Sequence, residues 1–128
     1  MNLIYLAGGM KSGWQEIVKE RIKGKDFYTF DPRNHQLENP EQYTIWDLYH
    51  VKNCDIVFAY IEQDNPSGYG AALEIGYAKA LGKTIILVDE KSISDESFKR
   101  QYELIRKTAD IVFYSLEEGI QFLESFDR

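Results

Sequence analysis

The chain of 128 residues carries 21 acidic and 15 basic side chains, a net charge of −6, with 44% hydrophobic and 28% charged residues. That length fits one domain of about 100–200 residues, and the acidic balance argues against a DNA or RNA polymer as partner, because like charge repels a phosphate backbone. Cys54 is the only cysteine, so a cytosolic setting without an internal disulfide is expected; MNLIYLAGGM lacks the basic region of a signal peptide, and no apolar run reaches the roughly 20 residues of a membrane helix.

In chain order, Leu3–Ala7 is an apolar run ending in Gly8-Gly9, which reads as a strand and a tight turn. Trp14, Ile17, Val18 and Ile22 recur at helical spacing, and Gly24 stops that helix. Phe27–Phe30 is a second strand, closed by Asp31-Pro32. After a polar loop, Asn39 is placed to cap a helix with Pro40 at its first position, running to Lys52. Ile56–Ile61 is a continuous apolar strand, and the loop Glu62–Gly68 holds the turn formers Asp64, Asn65, Pro66 and Gly68. Gly70–Leu81 reads as an apolar helix stopped by Gly82, Thr84–Asp89 as a strand, Ser94–Lys107 as one helix and Ile111–Tyr114 as a strand. Ser115 with Glu118 makes a capping box for the last helix.

Apolar strands alternating with helices predict a single α/β domain spanning the chain. It is a doubly wound five-stranded parallel sheet with helices on both faces, in the flavodoxin-like order 2-1-3-4-5. Ligands of such sheets bind beyond the carboxyl ends of the strands, at the switch between strands 1 and 3. The candidate segments are Ala7–Gly13, Glu62–Gly70 and, third, Asp31–Arg33.

Within PSGYGAALEIGYAKALGK, Glu74 stands among small and apolar residues. Its helical neighbours are Gly70, Ala71, Tyr77 and Ala78. It is either a shielded carboxylate looking into the switch-point cleft or a surface glutamate with Leu73 and Ile75 turned to the core. A glutamate held ionised but poorly hydrated is a competent nucleophile toward an electrophilic carbon. Asp47, in TIWDLYHVKNCD, is the second carboxylate of interest, with a solvated helix face as the plainer explanation. Tyr5, central in the first strand, needs a partner for its hydroxyl, a backbone carbonyl or Glu74.

Ser67 with the amides of Gly68 and Gly70 has the makings of an anion nest, and equally of an ordinary loop. Lys11 and Arg33 are cations near the expected pocket. His35 and His50 have no cysteine or histidine at metal-ligand spacing and read as surface residues. Neither a Walker A loop nor GxGxxG is present. Ala-Gly-Gly after the first strand stands where a response-regulator receiver needs acidic residues.

The segments IYLAGGM…W, DLYHVKNCDIVFAYI and PSGYGAALEIGYAKALGK, in this order over Leu3 to Val88, resemble the nucleoside 2-deoxyribosyltransferase family. The pattern E-x-G-x-A-x-x-x-G-K, Glu74 to Lys83, carries the likeness most specifically, and related nucleotide N-hydrolases share a similar segment. The resemblance implies the double displacement of retaining glycosidases with a nucleobase in place of water. In it Glu74 is the nucleophile, Asp47 shuttles the proton of the leaving base, Tyr5 orients Glu74, and Gly8, Gly9 and Met10 floor the base pocket. The family's aspartate for the sugar 5′-hydroxyl is replaced by Gly68; Asp64 reaching the same place, or Ser67 contacting a 5′ group, are the alternatives, the second pointing to a 5′-monophosphate. The tail QFLESFDR does not match the segment with which a neighbouring subunit closes the pocket in that family.

No metal or organic cofactor is implied, because a carboxylate nucleophile and an acid suffice for this chemistry. The expected partners are a nucleoside or nucleotide, a free nucleobase and, with nine tyrosines available for an interface, further copies of the chain. Three functions stand as expectations: base exchange on 2-deoxyribonucleosides, N-glycoside hydrolysis of nucleosides or their 5′-monophosphates, and non-catalytic nucleotide binding.

Overall fold

Strands covered on both faces must be apolar at consecutive positions, and all six residues of Ile56–Ile61 are buried. In the computed structural model, which describes Met1–Arg128, that segment is β3, at the centre of one parallel sheet. The sheet comprises β1 (Asn2–Gly8), β2 (Phe27–Phe30), β3, β4 (Thr84–Asp89) and β5 (Ile111–Phe113), ordered β2-β1-β3-β4-β5. The register sets Tyr5 of β1 between Phe30 of β2 and Val57 of β3.

Because successive side chains of a strand point to opposite faces, the sheet divides the core in two. Ile4, Leu6, Ile56, Phe58, Ile86 and Val88 pack against α1 (Trp14–Ile22) and α7 (Leu116–Glu124). Tyr5, Ala7, Val57, Ala59, Ile85 and Leu87 pack on the other side. Their partners there are α2 (Pro40–Asn53), α3 (Tyr69–Ala80) and the segment from Lys91 to Thr108.

Local chemistry explains the element ends. Asn39 accepts the amides of Glu41 at 2.9 Å and Gln42 at 3.3 Å, a cap worth about 1 kcal/mol. Ser115 accepts the Glu118 amide as the N-cap of α7, and its hydroxyl donates to the Glu118 carboxylate in place of the backbone bond of a full capping box. Gly8 ends β1 at φ 146, where a Cβ would lie 2.4 Å from the Tyr60 carbonyl oxygen, so no larger residue fits this approach of β1 to β3.

One element differs from expectation. Ser94–Lys107 is not a single helix but three short ones across a longer segment, α4 (Lys91–Ser94), α5 (Glu96–Gln101) and α6 (Glu103–Thr108). Asp95 takes an extended backbone and caps α5 through the Phe98 amide at 2.9 Å. Tyr102 leaves helical geometry between α5 and α6 (φ −91, ψ 2). Its ring packs in the core, and its hydroxyl donates to the Gly68 carbonyl at 3.0 Å. β5 ends one residue early, at Phe113. No helix is long and apolar enough to cross a membrane.

Candidate active site

The buried residues of α3 are Ala71, Glu74, Ile75 and Ala78, the stripe of a helix laid on a sheet. Glu74 therefore lies on the core-facing side, while Leu73 is 60% exposed. Directly across, Tyr5 leaves β1 on the same face and donates its hydroxyl to Glu74 Oε2 at 2.5 Å. The bond occupies one carboxyl oxygen; Glu74 itself lines a cleft of about 320 Å³ with Tyr5, Gly8, Met10, His35 and Asp47. Pro32, Leu37 and Tyr43 supply an apolar wall to the same cleft.

The electrostatics follow from burial. Desolvation pushes Glu74 up to about 8; the Tyr5 hydrogen bond pulls it back, and the nearby charge of Asp47 adds to the rise. Tyr5 is driven far above the ordinary tyrosine range, by burial first and then by the negative charge of Glu74. Asp47 projects from α2 with its side chain 23% exposed. Burial raises it too, with His35 and the Tyr5 hydroxyl acting in the opposite direction. Its Oδ1 is buried without a hydrogen-bond partner; His35 Nε2 lies 3.6 Å away.

The remaining expected residues fall into two groups. Gly8 and Met10 line the Glu74 cleft. Gly9 sits beside it, its carbonyl accepting from Trp14 Nε1 at 2.8 Å and Gln15 Nε2 at 2.9 Å, which pins the loop after β1. Asp64 lines a neighbouring depression of about 490 Å³ with Gly9, Lys11 and Glu62, and Met10 divides it from the Glu74 cleft.

Ser67 and Gly68 precede α3 without lining the Glu74 cleft. Part of the expected anion nest is engaged within the chain, since Asn65 Oδ1 accepts the amides of Ser67 and Gly68, and Ser67 Oγ accepts that of Tyr69. Arg33 is likewise committed, to Asp31 and to Glu16, both at 2.6 Å. The Glu74 cleft has no lysine or arginine in its lining, and no group of three or more potential metal ligands occurs in the chain.

His35 is not the surface residue the sequence suggested, and His50 is half-buried. His50 stacks on Trp46 with ring centroids 3.8 Å apart. His35 has a side chain only 9% exposed and faces the cleft. It belongs to the 3₁₀ turn Pro32–His35 directly after β2, two residues past the third candidate loop. Extending that loop to the end of the turn is the signal that reaches it.

A buried carboxyl with a phenol donor, at the carboxyl edge of strands 1 and 3, defines a switch-point site of the doubly wound class. The chain belongs to the nucleoside 2-deoxyribosyltransferase-like family, whose model, described as "Nucleoside 2-deoxyribosyltransferase like", matches residues 2–92. Among solved structures it is similar to a 2-desoxiribosyltransferase from Leishmania mexicana, with TM-score 0.74 and 19% identity over 98% of each chain. It is similar to a conserved protein from Enterococcus faecalis V583, with TM-score 0.74 and 20% identity over 98% of this chain and 99% of that one. It is also similar to a CMP N-glycosidase from Clostridium botulinum, with TM-score 0.65 and 21% identity over 96% of this chain and 98% of that one. At such identities the likeness establishes the fold. No curated protein matches the chain significantly.

Proposed function

We propose that the chain is a nucleoside 2-deoxyribosyltransferase that exchanges nucleobases through a deoxyribosyl ester on Glu74. The observation that carries this reading is the buried Glu74 carboxyl, held by Tyr5 on one oxygen at the wall of a cleft. In the first step a Glu74 oxygen bonds to C1′ as the C1′–N bond breaks. The bonding pair leaves with the base, which takes a proton from Asp47. In the second step an incoming base attacks C1′ from the opposite face, returns a proton to Asp47, and Glu74 leaves as a carboxylate.

Gly8 and Met10 floor the cleft, Gly9 supports that floor, and the apolar wall of Leu37 and Tyr43 suits the face of a base. Asp64, in the depression beyond Met10, is assigned to the 5′ side of the substrate, with Ser67 and Gly68 supporting that side through the Asn65 side chain that their amides hold. With no cation in the cleft and Arg33 already paired, an unphosphorylated nucleoside fits better than a 5′-monophosphate. A homo-oligomer in a cytosolic setting belongs to the same reading. Ile45, Tyr49, Tyr69 and Leu73 leave α2 and α3 with exposed apolar surface, and light scattering in solution measures the assembly.

Hydrolysis is the second reading, favoured by the likeness to a CMP N-glycosidase over 96% of this chain. One incubation separates them: purified protein, 2′-deoxyinosine and free adenine. Deoxyadenosine appears under the transferase reading, and hypoxanthine with free deoxyribose under the hydrolase reading. A melting shift with nucleoside but no turnover contradicts both and leaves a binding module.

A further inference from the structure

His35 is held in one orientation by the chain around it. The Leu37 amide donates to His35 Nδ1 at 2.8 Å, so the proton of the neutral ring sits on Nε2. That contact depends on Gln36, the only non-glycine residue with a positive φ, at φ 53 and ψ 26. A left-handed backbone is uncommon for such a residue and points to a constraint at the turn. Trp46 meets the imidazole edge-on with centroids 5.0 Å apart, and Tyr43 lies parallel to it at 6.4 Å. The ring so fixed presents Nε2 to Asp47 Oδ1 at 3.6 Å, and that oxygen is buried with no other partner.

Resting on the reading of Asp47 as the acid toward the leaving base, we propose that His35 is a positioning residue acting through Asp47. Its Nε2–H is aimed at the carboxylate charge that forms on Asp47 as its proton passes to the departing base. The C1′–N bonding pair stays on the base, the proton follows it, and the charge left on Asp47 meets a donor already in place. Donors set in advance where charge develops lower a barrier without reorganisation, and contacts of this kind are commonly long before substrate binds. The groups facing Asp47 are Tyr5 from β1, Glu74 from α3, His35 from the turn after β2 and His50 from its own helix. His50 is engaged at Nδ1 with the Trp46 carbonyl oxygen at 2.8 Å, which leaves His35 as the imidazole whose Nε2 lies beside the unpartnered oxygen, at 3.6 Å.

The test compares two substrates. The base of 2′-deoxyinosine needs a proton as it departs; that of 7-methyl-2′-deoxyguanosine already carries positive charge and does not. His35→Ala is expected to lower kcat on 2′-deoxyinosine by about tenfold to a hundredfold, below the loss for a full oxyanion-hole donor. It should also raise the ratio of 7-methyl-2′-deoxyguanosine to 2′-deoxyinosine turnover by about tenfold. His35→Gln, which keeps an N–H donor, should fall between the variant and the wild type. Long-range proton–nitrogen NMR of the wild-type protein, which needs no variant to fold, should find the neutral ring protonated on Nε2. An Nδ1–H ring, or equal losses on both substrates, overturns the assignment. Wild-type turnover with an unchanged ratio in His35→Ala removes His35 alone; a wild-type protein that cleaves neither substrate removes the underlying reading with it.

Discussion

Asp31 and Glu74, two of the carboxyls buried at the same edge of the sheet, meet opposite fates. Asp31, 1% exposed at the end of β2, is met by Lys19 at 2.7 Å and by Arg33 through its guanidinium and its own amide. Burial works to raise it, but Arg33 and Lys19 outweigh that, and it stays below the usual aspartate range. Glu74, 9% exposed, has a single phenol and no cation; there burial prevails and carries it to about 8. The cost of desolvation is common to both, and the partners decide the outcome. A carboxyl whose oxygens are saturated by cations is part of the scaffold. One left short of partners beside a cleft is available for chemistry.

Four substitutions test that contrast. The largest effect belongs to Glu74→Ala, expected to cut turnover by about 10⁴-fold or more with the circular dichroism of the fold unchanged; retained activity would place the nucleophile elsewhere. Asp47→Asn should lower kcat by about 10²–10³-fold with KM within a few-fold of wild type, as stopped-time product analysis would measure. Asp31→Asn should act on stability instead. Removing the charge that Lys19 and Arg33 share costs about 3 kcal/mol in urea titrations at neutral pH, and kcat should stay within a few-fold. A collapse of kcat in a folded Asp31→Asn protein would erase the distinction between the two carboxyls. Tyr5→Phe should cost about tenfold at pH 7, because the bond that draws Glu74 back toward its ionised form is lost. Its pH–rate limb should move to higher pH.

The pH dependence of stability differs in sign between the two. Glu74 has a folded value of about 8 against an ordinary 4.5. Its contribution is therefore complete below the unfolded value and disappears as pH rises through about 8. Relative to Glu74→Gln, the wild type should lose stability between pH 5 and 8, by at most a few kcal/mol. Asp31 is depressed below 3.8, so its contribution holds above that value and is lost as pH falls through the folded one. The Glu74 limb of kcat/KM should rise with pH up to about 8, since the nucleophile must be ionised, and loss of the proton that Asp47 must hold sets the opposing limb.

Most of the architecture was legible because each strand is a short apolar run bounded by Gly, Pro or Asp, and each crossover carries its own cap or stop. The breaks between Lys91 and Thr108 were not. The first falls at Asp95, which caps α5, and the second at Tyr102, whose hydroxyl reaches the Gly68 carbonyl 34 residues away in sequence; the segment contains no Gly or Pro to mark either. Local pattern left Glu74 open, because Leu73 and Glu74 competed for the same face. The stripe Ala71, Ile75 and Ala78 decides it, since small residues let the helix sit close to Tyr5. His35 was missed because its place depends on the left-handed backbone of Gln36, which residue type alone does not announce.

The central claim is a covalent bond between Glu74 and a sugar, and it can be weighed directly. A 2′-deoxy-2′-fluoro-arabinonucleoside, whose fluorine slows release of the sugar more than its capture, is mixed with the protein, quenched in acid and digested for peptide mass spectrometry. One added 2-deoxy-2-fluoroarabinosyl group is expected on the peptide containing Glu74, absent from Glu74→Ala and discharged by a free nucleobase. An active protein that yields no adduct, or one that carries it on another carboxylate, contradicts the mechanism.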